Sequence, residues 1–130
     1  MKEDTNMTLI YTSKDLTPNA QYKLTVSEDS APLTQAAGVQ IPVDTLILYK
    51  DTDHKSGEER EFVKIMDVDG YIYSSGGATV LRQIKQAIEY LANYPTWTIT
   101  AVRPGKATSR QGREYQTVEI TLGEREEALH

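Results

Sequence analysis

The feature that most constrains the fold is a change of hydrophobic period near residue 80. From there, apolar residues recur at spacings of three and four, which is typical of an amphipathic helix: Val80, Leu81, Ile84, Ala87, Ile88 and Leu91. On both sides of this stripe the pattern alternates instead, as in strands with one buried face. Ser75 or Thr79 is expected to cap the helix, and Pro95 to stop it. The chain is therefore predicted to be mainly β, with one helix.

The alternating segments predict the remaining elements. They are 20–26, 43–50, 60–68 with a short extension at 71–74, then 97–103 and 113–122. In the first, Tyr22, Leu24 and Val26 share one face. The order β-β-β-α-β-β is that of an OB-fold, a five-stranded barrel. A ferredoxin-like or other small α+β domain gives a similar string and stays an alternative.

The turn and loop residues along the chain predict a single domain. Residues 1–18 are expected to form a loosely held N-terminal arm, 19–122 the OB-fold domain, and 123–130 an acidic flexible tail. OB-folds bind oligonucleotides between the loops that follow their first and fourth strands. Those loops are predicted at 27–42 and 104–112.

Composition excludes several classes of function. With no cysteine the chain has no disulfide and no thiolate site. It has no run of about 18 apolar residues, so no membrane span is expected. The polar N-terminus lacks the apolar stretch of a signal peptide, which predicts a cytoplasmic protein.

The sequence contains no strong pattern of catalytic or metal-binding residues. Its two histidines, His54 and His130, have no serine and acid placed to orient them, so no enzyme is expected. Asp51, Asp53 and Glu58 crowd the turn that holds His54 but do not complete a calcium loop. No metal or other cofactor is predicted.

Charge is unevenly distributed along the chain. The net charge is -5, yet residues 80–118 hold six cations and only two acids. A segregated surface of this kind can present one basic face while the rest stays acidic.

A basic hairpin carries the main functional signal. Its candidate contacts to phosphates are Arg103, Lys106, Arg110 and Arg113, with Tyr115 at its end as a ring on which a base can stack. The alternative is a solvated turn whose charges only keep the loop soluble.

Other aromatic residues are possible stacking platforms. Tyr71 and Tyr73 share one strand face, and Tyr115 shares its face with Arg113. The alternative is that these rings pack against other side chains and only their hydroxyl groups are exposed to solvent. Phe62 and Trp97 are assigned to the core.

The start of the helix is a weaker candidate site. Arg82 and Lys85 follow the flexible segment 74–79, and backbone N–H groups at a helix start can hold a phosphate. The alternative, a flexible entry to the helix, is the preferred interpretation. No Gly-Lys-Ser/Thr follows, so the segment is not a nucleotide P-loop.

Several stretches also resemble a known family. They are VDTLILYKD at 43–51, the acidic hairpin after it, DGYIYS at 69–74, the helix, and GKATSRQGREY at 105–115. Together they resemble single-stranded-DNA-binding proteins of bacteriophages and mobile elements of Gram-positive bacteria, over roughly residues 10–122. The cellular relatives end in an acidic tip closed by Asp-Ile-Pro-Phe, which docks other proteins. This chain ends in EREEALH, so that docking role is not expected.

The residues therefore predict a protein that binds single-stranded DNA with little sequence preference. The resemblance implies a role in phage replication or recombination, in the cytoplasm of the bacterial host cell. A dimer or tetramer is expected, with replication or recombination proteins as possible partners and no membrane. The alternative is a phage-derived protein-binding module or DNA-mimic inhibitor that presents Asp51, Asp53, Glu58, Glu59 and Glu61.

Overall fold

The computed structural model describes residues 8–26, 30–52 and 56–125, and it is mainly β with a curled half-barrel sheet and two helices. The elements are β1 (Thr8–Thr12), α1 (Pro18–Val26), β2 (Ala31–Pro32), a 3₁₀ turn (Leu33–Ala36), β3 (Ile41–Thr52), β4 (Glu59–Asp67), β5 (Ile72–Ser75), α2 (Ala78–Leu91), β6 (Trp97–Thr108) and β7 (Glu114–Glu124).

The long strand β3 organises the sheet, whose order is β2-β5-β4-β3-β6-β7. One edge of β3 pairs with β4 in antiparallel fashion. Its other edge pairs first with β6, at Ile41 and Pro42, and then with β1, from Ile47 to Lys50. Because β6 and β1 share that edge in succession, β3 belongs to two parts of the sheet and the sheet curls around it.

The main core lies between the inner face of this sheet and α2. The predicted helical stripe is confirmed, since Val80, Leu81, Ile84 and Leu91 are buried. They pack in one cluster with the inward residues of β3 and β4, namely Leu46, Leu48, Val63 and Ile65. Burial of this apolar surface is the main stabilising term of the fold.

A second apolar cluster covers the outer face of β3. There Ile47 and Tyr49 are buried with Leu24 of α1, while Phe62 of β4 packs partly against them. Lys64 fixes the end of α1, because its Nζ donates to the carbonyl oxygens of Leu24 at 3.1 Å and Thr25 at 3.0 Å. Apolar residues on both faces explain why β3 reads as a nearly continuous apolar run.

The predicted first strand, 20–26, is wrong, because this segment forms α1. Thr17 caps the helix: its Oγ1 accepts from the Ala20 amide at 3.1 Å, and its carbonyl accepts from the Gln21 amide at 2.9 Å. Pro18 occupies the first helical position, where its fixed φ is favourable and its missing N–H does no harm. The alternation that indicated a strand is not buried, since Tyr22 is 64% and Val26 40% exposed.

Part of the region predicted as a loose arm is ordered against β3. Residues 8–12 form β1. The amide of the buried Ser13 donates to the Leu46 carbonyl, and the Leu46 amide donates to the Ser13 Oγ, both at 2.9 Å. At the other end, residues 123–124 complete β7, and the Arg125 amide donates to the Thr96 carbonyl at 2.7 Å.

The element order therefore differs from the predicted β-β-β-α-β-β string. The segment 71–74 contributes a separate strand, β5, and the predicted loop 27–42 contains β2, the 3₁₀ turn and the start of β3. The predicted loop 104–112 is shorter, because residues 104–108 continue β6.

Some predictions fall outside the described residues. These are the first seven residues of the arm, positions 27–29 of the predicted loop, residues 126–130 of the tail with His130, and Asp53 and His54 in the acidic turn. In the part of the chain that the structure describes, no helix combines the length and apolar character needed to cross a bilayer.

Candidate nucleic-acid interface

A tight turn closes the basic hairpin formed by β6 and β7. The Ser109 amide donates to the Arg113 carbonyl at 2.8 Å, and the Gly112 amide donates to the Ser109 carbonyl at 2.9 Å. The Ser109 Oγ also accepts from the Arg113 amide at 3.1 Å. Gly112 has a φ of +83°, the left-handed conformation that a three-residue hairpin loop with a bulge requires. The turn therefore holds Arg110 at the tip of a regular ribbon.

The register of β6 and β7 decides which side chains share a face. Tyr115 pairs with Ala107 and Arg103 pairs with Glu119, on the face that points away from the core. Arg113, which closes the turn opposite Ser109, precedes Tyr115 on that same face. The predicted separation of the two faces of β7 is confirmed: Val118 is buried and Ile120 and Leu122 pack against the main core, whereas Tyr115 is exposed.

Lys106 lies on the opposite face of the ribbon from Tyr115. It pairs with Gln116, and Gln116 lines a groove together with Gly76 and Gly77 at the start of α2. The structure thus brings Arg103, Arg113 and Tyr115 to one face and directs Lys106 to the other. Arg110 stands at the tip between them.

The four hairpin cations are exposed. Among the described residues, none of Arg103, Lys106, Arg110 and Arg113 forms an ion pair. Three acids belong to the same ribbon, namely Glu114, the Glu119 that faces Arg103, and Glu124 at the end of β7. Exposed cations without partners are available to an anionic ligand, and their attraction is screened by salt.

Tyr71 and Tyr73 do not form one platform. Tyr71 is 67% exposed in the turn before β5, where the Asp67 Oδ1 accepts from its amide at 2.9 Å. Tyr73 is half-buried against the main core and pairs with the buried Ile65 of β4. Only Tyr71 and Tyr115 therefore offer exposed rings at the predicted positions.

Arg82 and Lys85 line a groove of about 790 Å³ between α2 and β4. Lys85 forms an ion pair with Glu61 of β4, while Arg82 is exposed. Lys50 and Arg60 line the same groove.

The start of α2 lies at this groove. Neither predicted cap is used: Gly77 is the N-cap residue, without a side-chain cap, and its amide donates to the Ser75 Oγ at 3.1 Å. Sequence reasoning missed Gln83, whose Oε1 accepts from the Val118 amide at 2.9 Å and from the Thr117 Oγ1 at 3.0 Å. Gln83 thereby fixes the helix against the free edge of β7.

Trp97 is not in the core, which corrects the prediction from sequence. It is 39% exposed at the start of β6 and belongs to an aromatic cluster with Tyr90 and Tyr94. The prediction failed because Trp97 lies at the strand end, beyond the reach of the core. Phe62 is half-buried and stacks on Tyr49 with ring centroids 5.8 Å apart.

Comparison of the chain with protein-family models, with curated proteins and with solved structures gives no match.

Proposed function

We propose that this chain binds single-stranded DNA through the β6–β7 hairpin, with little sequence preference. The observation that carries this function is the outer face of the hairpin, where Arg113 lies two residues before the exposed Tyr115 and Arg103 lies further along the same face. Phosphates would contact the guanidinium groups, and a base would stack on the ring. Stacking of one base is worth about 1–3 kcal/mol and tolerates any base, because every base has a π-face.

The cations define the expected electrostatics. If Arg103, Lys106, Arg110 and Arg113 each neutralise one phosphate, the slope of log affinity against log salt is about -3, from about -0.7 for each contact to a single strand. Since Lys106 lies on the other face, the strand would wrap around the tip at Arg110 to reach all four. Arg82 would extend the path along the groove beside α2.

We further infer that β3 to β7 and α2 form an OB-type barrel. The path β5-β4-β3-β6-β7 and the helix between β5 and β6 support this assignment. Such barrels use the face of their second and third strands for oligonucleotides. Here α1 packs on the outer faces of β3 and β4, which favours the hairpin as the main contact surface.

The biological setting is a proposal that only the sequence resemblance supports. By that resemblance, the protein would protect single strands in phage replication or recombination, as a dimer or tetramer. The rival function, a protein-binding module with an acidic surface, takes second place. Its acidic cluster is mixed with cations, since Glu61 pairs with Lys85 and Glu59 lines the groove beside Lys50 and Arg60.

A labelled oligonucleotide gives the direct test. The single tryptophan lies at the far end of β6 from the tip, roughly 36 Å for eleven residues at about 3.3 Å each. Fluorescence anisotropy of a labelled oligo-dT is therefore a better readout than intrinsic fluorescence. We expect salt-sensitive binding that a duplex of the same length does not match. No binding at low salt, or equal binding of the duplex, would overturn the proposed function.

A further inference from the structure

The aromatic cluster at the other end of β6 forms a concave site that the proposed function does not use. Tyr90, Tyr94 and Trp97, with Leu91 and Leu122, line a pocket of about 240 Å³. The ring centroids of Tyr90 and Tyr94 are 5.4 Å apart, and those of Tyr94 and Trp97 are 6.4 Å apart. The three rings remain 57%, 45% and 39% exposed, so they line the pocket rather than fill the core.

The walls of this pocket are held in place before any ligand arrives. Leu91 is buried in the main core at the end of α2, and Leu122 packs against that core from β7. The backbone from Leu91 to Trp97 forms a tight turn. In this turn the Tyr94 amide donates to the Leu91 carbonyl and the Trp97 amide donates to the Tyr94 carbonyl, both at 2.9 Å. The ring contact between Tyr90 and Tyr94 places the two phenols side by side, and the neighbouring Tyr94 phenol raises the pKa of Tyr90.

Charge around the pocket selects the kind of ligand. Glu124 is the cross-strand partner of Trp97, so its carboxylate projects from the same face of the hairpin as the indole ring. The nearest cation along the chain, Arg125, donates from Nη1 to the Ser13 carbonyl at 2.8 Å. An aromatic face beside a carboxylate attracts cations and repels phosphates.

From these observations we propose that the pocket of Tyr90, Tyr94 and Trp97 binds a methylated ammonium group. A quaternary ammonium fits best, because its apolar surface suits the rings while its charge interacts with the π-faces and with Glu124. The occupant would be a ligand or partner side chain that carries such a group. This second site is separate from the basic hairpin and lies at the opposite end of the same ribbon.

Choline and its uncharged isostere 3,3-dimethylbutanol test the site directly. Because Trp97 is the single tryptophan of the chain, its fluorescence reports on this pocket. We expect saturable quenching by choline with a dissociation constant on the order of 1 mM, and binding of the isostere about tenfold weaker. Equal responses to the two compounds, or no saturable response to choline, would overturn the assignment.

Two variants separate ring contacts from charge. Tyr94→Leu should abolish the response, and Glu124→Gln should weaken it several-fold, whereas Tyr22→Leu on α1 is the matched control and should leave it intact. Thermal unfolding checks that each variant folds. If Tyr94→Leu does not fold, the response of Glu124→Gln still tests the site. A choline response unchanged in Glu124→Gln and in a folded Tyr94→Leu would contradict the site.

Other occupants give distinguishable results. If the patch joins two copies of the chain, Tyr94→Leu will change the sedimentation coefficient and choline will have no effect. If the rings stack on nucleic-acid bases, oligo-dT will quench Trp97 and choline will not compete. Either result would overturn the proposed ammonium site without deciding whether the hairpin binds DNA.

Discussion

The ammonium group of Lys64, on β4, caps the last turn of α1 by donating to the Leu24 carbonyl at 3.1 Å. It also donates to the Thr25 carbonyl at 3.0 Å. Cations near a helix C-terminus satisfy carbonyls that lack partners within the helix. Burial lowers the pKa of Lys64, so the fold bears a desolvation cost to keep this contact charged. The contact matters because Leu24 is the only buried residue of α1.

We therefore expect Lys64→Met to release α1 from the sheet. The loss of a hydrogen-bonded cap should destabilise the local docking of α1 by about 1–3 kcal/mol. Hydrogen exchange of the amides in residues 21–26 should then be at least about fivefold faster. Lys23→Met, at an exposed position in the same helix, is the control and should leave exchange unchanged. Equal protection in both variants would show that Lys64 does not hold the helix.

Tyr49 should make the fold sensitive to alkaline pH. Burial, with a smaller contribution from the charge of Asp51, raises the pKa of Tyr49 from 10.0 to about 12. The folded state thus retains the phenolic proton at pH values where the unfolded chain loses it. This contribution to the free energy of unfolding is complete below pH 10 and decreases as the pH rises toward 12, by up to about 2–3 kcal/mol.

Replacement of Tyr49 by phenylalanine isolates that contribution. Urea unfolding between pH 9 and about pH 12 should show a steeper loss of stability in the wild type than in Tyr49→Phe. Tyr22→Phe, at a residue 64% exposed, should follow the wild type. Parallel curves for the wild type and Tyr49→Phe would rule out the linkage.

The β6–β7 hairpin should tolerate alanine at Gly105 in β6 and not at Gly112 in the turn. A Cβ atom added at Gly112 or at Gly105 would meet nothing within 4 Å, but only Gly112 has a positive φ, +83°. Gly112→Ala should therefore cost about 1 kcal/mol. Gly105→Ala should be neutral or slightly stabilising, because alanine restricts the unfolded chain. Chemical denaturation of the two variants measures the difference, and equal stabilities would contradict the role of the turn.

Tyr115 should contribute to DNA binding without affecting its salt dependence. Tyr115→Ala should weaken oligo-dT binding by about fivefold or more, as expected from the loss of about 1–3 kcal/mol of stacking, while the slope of log affinity against log salt is kept. Tyr71→Ala tests whether the second exposed ring also contributes, and Tyr22→Ala on α1 is the control. If Tyr115→Ala binds like the control, the ring is not a stacking platform.

Periodicity predicted those elements whose apolar pattern agrees with their burial. The stripe of α2 and the runs of β3 and β4 are long and strongly patterned, and they were correctly assigned. The strand prediction for residues 20–26 failed because Leu24 is the only buried residue of α1. Tyr22 and Val26, which gave the alternating pattern, are exposed and form no buried face. The decisive signal for the helix is local, namely Thr17 as N-cap before Pro18 at the first helical position.

The candidate site depended on information that the sequence does not carry locally. Alternation along β7 correctly placed Tyr115 on the face away from Val118. The position of Lys106 required the register between two strands, which the tight turn at Gly112 sets. The exposure of Trp97 required knowing where the core ends, and the contact between Gln83 and β7 required the docking of a distant helix.

The salt dependence of oligo-dT binding tests the central claim most directly. Anisotropy titrations between about 50 and 200 mM salt, with an oligo-dT of about 16 nucleotides, should give a slope of about -3 for the wild type. Arg110→Gln should weaken binding and reduce the slope by about 0.7, whereas Lys23→Gln on α1 should change neither. A wild-type slope near zero, or an Arg110→Gln variant with unchanged affinity and slope, would contradict binding through the hairpin.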